Sequence, residues 1–144
     1  MTDAPLLKIT RVFNAPIARV FDAWMQREQW QAWIGPEGIA CLVPEMDARV
    51  GGRYRVVMTM TSGQTVTVVG SFTIIERPVR FAFTWRMDGG AHDSLVTVSL
   101  RDLGGRTELT LQHAGLISGE NVESHDRGWN SALGKLEKFL EGQA

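Results

Sequence analysis

The chain has 144 residues, 44% of them hydrophobic and 22% charged, as in an ordinary soluble globular protein. Its net charge is −1 and it has no basic run, so the electrostatic footprint of proteins that bind nucleic acids or anionic membranes is missing. No run of about 18 apolar residues predicts a membrane span, and Met1–Lys8 lacks the apolar core of a signal peptide. Because Cys41 is the only cysteine, we predict no intrachain disulfide and expect a cytoplasmic, reducing location.

The length predicts one domain over residues 1–144, with a core from about residue 6 to residue 141. The first element predicted is a strand at Leu6–Phe13, whose two faces are both mixed, as suits an edge or closing strand. Asn14 then predicts a helix N-cap, with Pro16 in the first turn, where its missing N–H costs little.

Two short helices are predicted next. Apolar residues at helical spacing form one face from Ile17 to Met25, and a second helix carries Trp30 and Trp33 before it ends at Gly35-Pro36. Together with Trp24, three tryptophans lie within ten residues. Their large apolar area favours core packing, and the alternative is that one or more of them walls a ligand cavity.

Six strands separated by tight turns are predicted over the middle of the chain. Apolar and polar residues alternate most clearly from residue 53 to residue 60. Pro44 predicts an edge or bulge position, and Gly70 predicts a bulge or a bend in a curved sheet. The predicted strands span residues 38–47, 53–60, 64–76, 80–87, 94–101 and 106–113.

A long final helix is predicted over residues 119–141. An antiparallel sheet of this size with one apolar face curls by its own twist, and the helix would fill its concave side. The predicted fold class is therefore α+β, with a curved sheet of about six or seven strands. The face of the helix turned to the sheet follows from spacings of three and four residues between Val122, His125, Trp129, Ala132, Leu136 and Phe139.

Three segments, taken in order, carry a family resemblance: Gly35-Pro36-Glu37-Gly38, residues 45–52 ending in Gly51-Gly52, and the run from Gly128-Trp129 to Leu140. The chain resembles the activator of heat-shock-protein-90 ATPase homologues, a family of the START-like (polyketide cyclase, SRPBCC) superfamily. The resemblance implies the helix-grip fold and a deep hydrophobic cavity between the final helix and the sheet. Members of the superfamily bind lipids, sterols, polyketides and other apolar small molecules, and some are aromatase/cyclases.

The spacing of histidine and cysteine predicts neither a metal site nor a nucleophile. His92, His113 and His125 are 21 and 12 residues apart, with no carboxylate at ligand spacing beside them. Cys41 has no adjacent histidine or aspartate and is interpreted as a small buried hydrophobe. The glycine pairs lack the context of a phosphate loop, and no cofactor is predicted.

The predicted function is non-catalytic binding of an apolar or aromatic small molecule. His125 and His113 could hold a ligand carbonyl or move a proton, whereas the simpler interpretation is that each satisfies a backbone group near the pocket rim. The candidate binding residues, apolar walls with a few polar groups, are Trp33, Tyr54, Val56, Met58, Val68, Phe72, Phe83, Trp85, Val98, Leu111, His113, His125 and Trp129.

Two other functions stay open from the sequence: a cochaperone-like or stress-response interaction module, and a cyclase- or hydrolase-type enzyme with His125 or His113 as its base. The eukaryotic cochaperones of the family dock through an additional N-terminal domain, for which we expect 144 residues to leave no room. The predicted partner is an apolar small molecule, with a chaperone as the alternative. We expect a monomer or a homodimer.

Overall fold

The structure, a computed structural model, describes residues 6–90, 92–116 and 119–142, except for the side chains of 119–121. The predictions for residues 1–5, including the lack of a signal-peptide core, lie outside this part. The order of elements agrees with the prediction. In chain order they are β1 (Leu6–Phe13), α1 (Ile17–Met25), α2 (Arg27–Trp33), β2 (Ala40–Met46), β3 (Arg53–Thr59), β4 (Thr65–Glu76), β5 (Arg80–Met87), β6 (Ser94–Asp102), β7 (Thr107–Ala114) and α3 (Gly119–Glu141).

The seven strands form one antiparallel sheet in the order β1-β7-β6-β5-β4-β3-β2. Strands β1 and β2 are therefore the edges, which confirms the prediction for the first strand. The register shifts between Leu42 and Glu45, around Pro44, so the predicted bulge is confirmed there. In β4 the shift lies between Phe72 and Ile74 and not at Gly70. The curved sheet and the helices form the predicted α+β helix-grip fold.

Gly70 is required for a different reason, the close approach of neighbouring groups. A Cβ atom added at Gly70 would lie 2.0 Å from the carbonyl oxygen of Thr84 and 2.7 Å from the Tyr54 ring. The Tyr54 hydroxyl donates a hydrogen bond of 2.5 Å to that same oxygen. Glycine is therefore needed here to make room for the Tyr54 side chain beside β5.

The predicted N-cap of α1 at Asn14 is wrong. The N-cap is Pro16, with φ −66° and ψ 153°, and no side chain caps the helix. The carbonyl oxygen of Pro16 accepts the backbone N–H groups of Arg19 and Val20 at 3.0 and 3.1 Å. The fixed φ of proline suits the residue ahead of the first turn, so the helix begins there without a polar side chain.

The three N-terminal tryptophans belong to the core. Trp24, Trp30 and Trp33 are each at most 2% exposed. The rings of Trp24 and Trp33 meet edge to face at 4.6 Å, and the Trp33 indole N–H donates to the carbonyl oxygen of Ala23 at 3.0 Å. The Trp24 ring lies 5.2 Å from Phe81 of the sheet and 6.0 Å from Trp129 of α3. Trp24 of α1 thus contacts α2, the sheet and α3.

Helix α3 is buried unevenly along its length. In its C-terminal half Leu133 and Leu136 are fully buried, with 0% exposure. Towards the N-terminus Val122 and His125 are only half-buried. The C-terminal end is also held by a hydrogen bond of 2.6 Å, which the Arg19 guanidinium group of α1 donates to the carbonyl oxygen of Leu140. This unequal packing determines where a ligand could enter.

Candidate functional site

A cleft of about 300 Å³ lies beneath the N-terminal half of α3. Strands β3, β4 and β5 form one side of it, and the loop after α2 contributes to its wall. Its volume is at the lower end of the range for small-molecule sites. The lining residues are Ile34, Gly35, Pro36, Met58, Met60, Val66, Val68, Trp85, Met87, Ser124, His125, Gly128, Trp129 and Ala132.

The cleft has apolar walls and one polar end. Met58, Met60 and Met87 line it together with two tryptophans. Methionine side chains adapt to irregular shapes and make favourable contacts between sulfur and aromatic rings. Apart from the indoles, the polar side chains of the lining are Ser124 and His125, successive residues of α3. This composition suits a ligand that is mostly apolar, with one polar group.

The loop that follows α2 is held against α3 by hydrogen bonds to its backbone. The Lys135 ammonium group donates to the carbonyl oxygens of Ile34 and Pro36 at 3.3 and 3.5 Å. The Ser131 hydroxyl accepts the backbone N–H of Glu37 at 2.7 Å. These contacts hold the loop, and with it one wall of the cleft, against α3.

Cys41 packs against this loop and is not placed as a nucleophile. Gly35 has φ +86°, and a Cβ atom added there would lie 2.3 Å from the Cys41 sulfur. Burial raises the pKa of the Cys41 thiol, and the charge of Lys135 opposes this shift in part. The thiol is therefore protonated near neutral pH, as expected of a packing residue.

A series of three hydrogen bonds joins the two tryptophans of the cleft. The Trp129 indole N–H donates to Nδ1 of His113 at 3.0 Å. His113 Nε2 lies 2.7 Å from the Ser94 hydroxyl oxygen, and that hydroxyl donates to the carbonyl oxygen of Trp85 at 2.8 Å. An indole can only donate, so Nδ1 is the acceptor and Nε2 carries the proton. We call this series of bonds the His113 chain.

The His113 chain keeps its histidine neutral. His113 has 0% exposure. Burial and then the neighbouring His125 lower the pKa of His113 from 6.5 to about 3. Both ring nitrogens are engaged within the protein, so neither is available to take a proton from a bound molecule. His113 therefore positions the Trp129 ring, and it is not itself part of the cleft lining.

His125 lies between the His113 chain and the cleft. Its ring centre is 5.0 Å from that of His113 and 6.5 Å from that of Trp85, edge to face in both cases. It is half-buried and lines the cleft. Among the described lining residues it is the one side chain of an ionisable type, and it borders the space that a ligand would occupy.

The structure brings together five of the thirteen predicted binding residues: Met58, Val68, Trp85, His125 and Trp129 line the cleft. The hydroxyl of Tyr54, a predicted polar contact, is engaged with Thr84, and burial raises its pKa well above the usual value. Eight predicted residues lie in the packed core outside the lining, each at most 2% exposed: Trp33, Tyr54, Val56, Phe72, Phe83, Val98, Leu111 and His113.

Sequence reasoning did not select the remaining lining residues. Gly128 and Ala132 lie one turn apart on the gripped face of α3, and small side chains there leave open space that larger ones would fill. This pattern was visible in the sequence. The full set of lining residues not selected is Ile34, Gly35, Pro36, Met60, Val66, Met87, Ser124, Gly128 and Ala132.

A second groove, of about 340 Å³, lies on the polar outer face of the sheet. Its charged side chains largely pair with one another, since Arg55 is 3.1 Å from Asp88 and Arg86 is 3.4 Å from Asp93. Because these charged groups already pair with one another, the groove offers a ligand few charged groups without a partner of their own. The apolar cleft is therefore the stronger candidate for a small-molecule site.

Within residues 6–90, 92–116 and 119–142, no group of three His, Cys, Asp or Glu side chains is arranged to hold a metal ion. His92 is exposed, and its Nε2 lies 2.6 Å from the carbonyl oxygen of Gly115. None of the helices in the described part is long and apolar enough to cross a membrane.

Comparison with known proteins gives a family match over most of the chain. The family model described as Activator of Hsp90 ATPase homolog 1-like protein matches residues 14–141. The matched segment contains every lining residue of the cleft. No curated protein matches the chain.

Solved structures with the same fold include two of similar sequence. A protein of Chromobacterium violaceum is 30% identical, with 94% of this chain and 96% of that one covered and a TM-score of 0.88. A protein of Silicibacter pomeroyi named for the same family is 29% identical, with 97% and 100% covered and a TM-score of 0.85. A third, from Arthrobacter aurescens, shares the fold at 24% identity, with 96% and 87% covered and a TM-score of 0.86.

Proposed function

This chain belongs to the family of Activator of Hsp90 ATPase homolog 1-like proteins, and we propose that it binds aromatic or other apolar small molecules without converting them. The observation that carries the proposal is the cleft of about 300 Å³ beneath α3, with its methionine and tryptophan walls and one polar end. A protein that used α3 only to close its core would fill this space, as it does around Leu133 and Leu136.

The size of the cleft sets the expected affinity. A space of this volume takes a ligand of two or three fused rings, on the order of 10 to 15 non-hydrogen atoms. At roughly 0.3 to 0.5 kcal/mol per atom, such a ligand binds with a dissociation constant in the micromolar to millimolar range. Screening should therefore use ligand concentrations that reach about a millimolar.

A dye-displacement assay with a blocked variant tests the proposal. Gly128→Leu adds a side chain at a lining residue where an added Cβ meets no atom within 4 Å, so we expect the leucine to occupy part of the cleft. We expect the wild-type protein to bind an anilinonaphthalene dye that naphthalene derivatives displace, and Gly128→Leu to bind it at least about tenfold more weakly. Lys138→Leu, at an exposed site on the same helix, is the matched control.

The control should bind the dye like the wild type. Equal binding by all three proteins would place the dye elsewhere and contradict the proposal, as would the absence of any displaceable ligand. Native mass spectrometry of the protein purified from its own host adds an independent result, a bound apolar molecule that Gly128→Leu does not retain.

A cochaperone-like role is the second candidate, and membership of the family supports it. Its signature would be stimulation of a chaperone ATPase by the purified chain and capture of that chaperone in a pull-down. Stimulation that survives Gly128→Leu would assign the role to the outer surface and separate it from the cleft.

A cytoplasmic location is part of the same proposal. Its support is the free thiol of Cys41, which has no partner cysteine in the chain. Fractionation of the native host, with the protein recovered in the cytoplasmic extract, is the expected result.

A further inference from the structure

Methionines form much of the side of the cleft that belongs to the sheet. Met58 of β3 lies opposite Val66 of β4, and Val68 of β4 lies opposite Met87 of β5. Residues that are directly opposite in an antiparallel sheet share one face, so the two methionines flank β4 on the side turned to α3. Met60 follows Met58 by two residues and lines the same space. A ligand in the cleft would therefore lie against three thioether side chains.

These methionines differ in how easily a dissolved oxidant reaches them. Met87 is 50% exposed and Met60 is half-buried, whereas Met58 has 7% exposure. Met25 and Met46, by comparison, are packed against the core outside the lining of the cleft. A cleft of about 300 Å³ also admits hydrogen peroxide, which is little larger than water. Met87 should therefore react first, and Met60 can be reached from inside the cleft.

Oxidation would place a polar group in an apolar wall. Conversion to methionine sulfoxide replaces a flexible apolar side chain by a polar one that accepts hydrogen bonds. The side chains that lie opposite in β4, Val66 and Val68, have no donor to offer the sulfoxide oxygen. Water can solvate this oxygen in the absence of a ligand, and an apolar ligand would remove the water without replacing its hydrogen bonds. Oxidation should therefore weaken the binding of apolar ligands.

We propose that Met87 and Met60 form a site of reversible oxidation by hydrogen peroxide, and that their oxidation lowers ligand binding in the cleft. This inference rests on the proposed function. In the reaction the thioether sulfur attacks one peroxide oxygen, so that an S–O bond forms, the O–O bond breaks and the other oxygen leaves as water. The sulfur loses the two electrons that reduce the peroxide. A thiol-dependent methionine sulfoxide reductase returns the sulfoxide to the thioether.

Cys41, the sulfur on the far side of the loop at Gly35, is a poorer target. Burial raises the pKa of its thiol, so little of the reactive thiolate is present near neutral pH. Variants that lack Met87 and Met60 still contain Cys41. A loss of binding caused by oxidation of Cys41 would therefore persist in those variants, which separates the two explanations.

Mild treatment with hydrogen peroxide, followed by removal of the oxidant, tests the inference. Mass spectrometry of peptides should find sulfoxide at Met87 first, and at Met60 as treatment continues. The treated wild-type protein should bind the anilinonaphthalene dye at least about fivefold more weakly than before, and a methionine sulfoxide reductase should restore binding. The double variant Met60→Leu, Met87→Leu, which keeps side chains of similar volume, should bind the dye equally before and after treatment. Met25→Leu is the matched control outside the cleft and should lose binding as the wild type does.

Unchanged dye binding by wild-type protein that carries sulfoxide at both methionines would overturn the inference and leave the proposed function standing. Equal losses in the wild type and the double variant would also overturn it, because another residue would then be responsible. Circular dichroism before and after treatment follows the fold, and a loss of binding that accompanies unfolding would overturn the inference as well. Failure of the untreated protein to bind any displaceable dye would contradict the proposed function and the inference together.

Discussion

The two halves of α3 have different roles, although the same helical spacing of inward-facing residues runs through both. From Leu133 to Leu140 the gripped face consists of large side chains with at most 3% exposure at Leu133, Leu136 and Leu140. Before Trp129 the same face carries His125 and Gly128, and the space beneath it is the cleft. The C-terminal half anchors the helix to the core, and the N-terminal half covers a space large enough for a ligand.

The difference shows that helical periodicity gives the face of a helix and says little about how fully that face is packed. The size of each side chain on the face decides whether the space beneath it fills. Trp129 is where the halves meet, since it lines the cleft and is also 4% exposed. Substitutions on either side of it should therefore have different consequences for stability and for binding.

The largest effect is expected from Trp129→Ala. The change removes a buried indole and leaves Nδ1 of His113 without its donor, so we expect a loss of about 3–5 kcal/mol in the free energy of unfolding. Urea denaturation followed by circular dichroism measures it. A loss below about 1 kcal/mol would mean that the ring contributes nothing to the anchor and only bounds a wet space.

The contrast between the halves should appear directly in Leu136→Ala and Met60→Ala. Leu136 is fully buried in the anchor, and its truncation should cost about 2–5 kcal/mol. Met60 is half-buried at the cleft, and its truncation should cost less than about 1.5 kcal/mol while weakening dye binding. Equal losses of stability would contradict the division of the helix.

The His113 chain predicts a dependence of stability on pH. The pKa of His113 is about 3 in the folded protein and near 6.5 when unfolded, so below pH 6.5 the unfolded chain binds a proton that the folded protein excludes. The contribution of His113 to the free energy of unfolding is therefore fully present above pH 6.5. It decreases by about 1 kcal/mol per pH unit as the pH falls towards 3.

Replacing the histidine isolates this contribution. His113→Gln should be less stable than the wild type at pH 7 by about 1–3 kcal/mol, because one hydrogen bond of the chain is lost or weakened. Between pH 6.5 and pH 4.5 the gap should shrink by about 2 kcal/mol. Denaturation curves of the two proteins that stay parallel over this range would contradict a neutral, buried His113.

The smallest effects are expected from the two helix glycines. An added Cβ meets nothing within 4 Å at Gly128 and only Arg11, at 3.8 Å, at Gly134. Gly134→Ala and Gly128→Ala should each stabilise the helix by about 0.5–1 kcal/mol, and only Gly128→Ala should weaken binding in the cleft. Thermal denaturation and the dye assay measure the two outcomes. A destabilised Gly134→Ala would reveal a close contact with the sheet.

The sequence was sufficient for the architecture because alternation and helical spacing depend on neighbours in the chain. The predicted cap at Asn14 is wrong because the fixed φ of Pro16 already suits the position ahead of the first turn, and the helix begins there without a polar side chain. The cleft was harder to predict. Its wall at Gly35 and Pro36 depends on hydrogen bonds from Lys135, about a hundred residues away in the chain.

The role of His113 shows the same limit. Its alternation in the last strand correctly predicted an inward side chain, yet the spacing could not show that Trp129 and Ser94 engage both of its nitrogens. A hydrogen-bond partner depends on three-dimensional position. The sequence therefore left His113 and His125 as equivalent polar contacts, and only His125 lines the cleft.

The indole N–H signals of the five tryptophans offer the most direct measurement of the central claim, that ligands bind beneath the N-terminal half of α3. Trp85 and Trp129 line the cleft, whereas Trp24, Trp30 and Trp33 lie in the packed core. In a two-dimensional NMR titration with a naphthalene derivative that displaces the dye, the signals of Trp85 and Trp129 should shift most and saturate together. Unshifted signals from both of these indoles, with binding detected by calorimetry, would contradict the account.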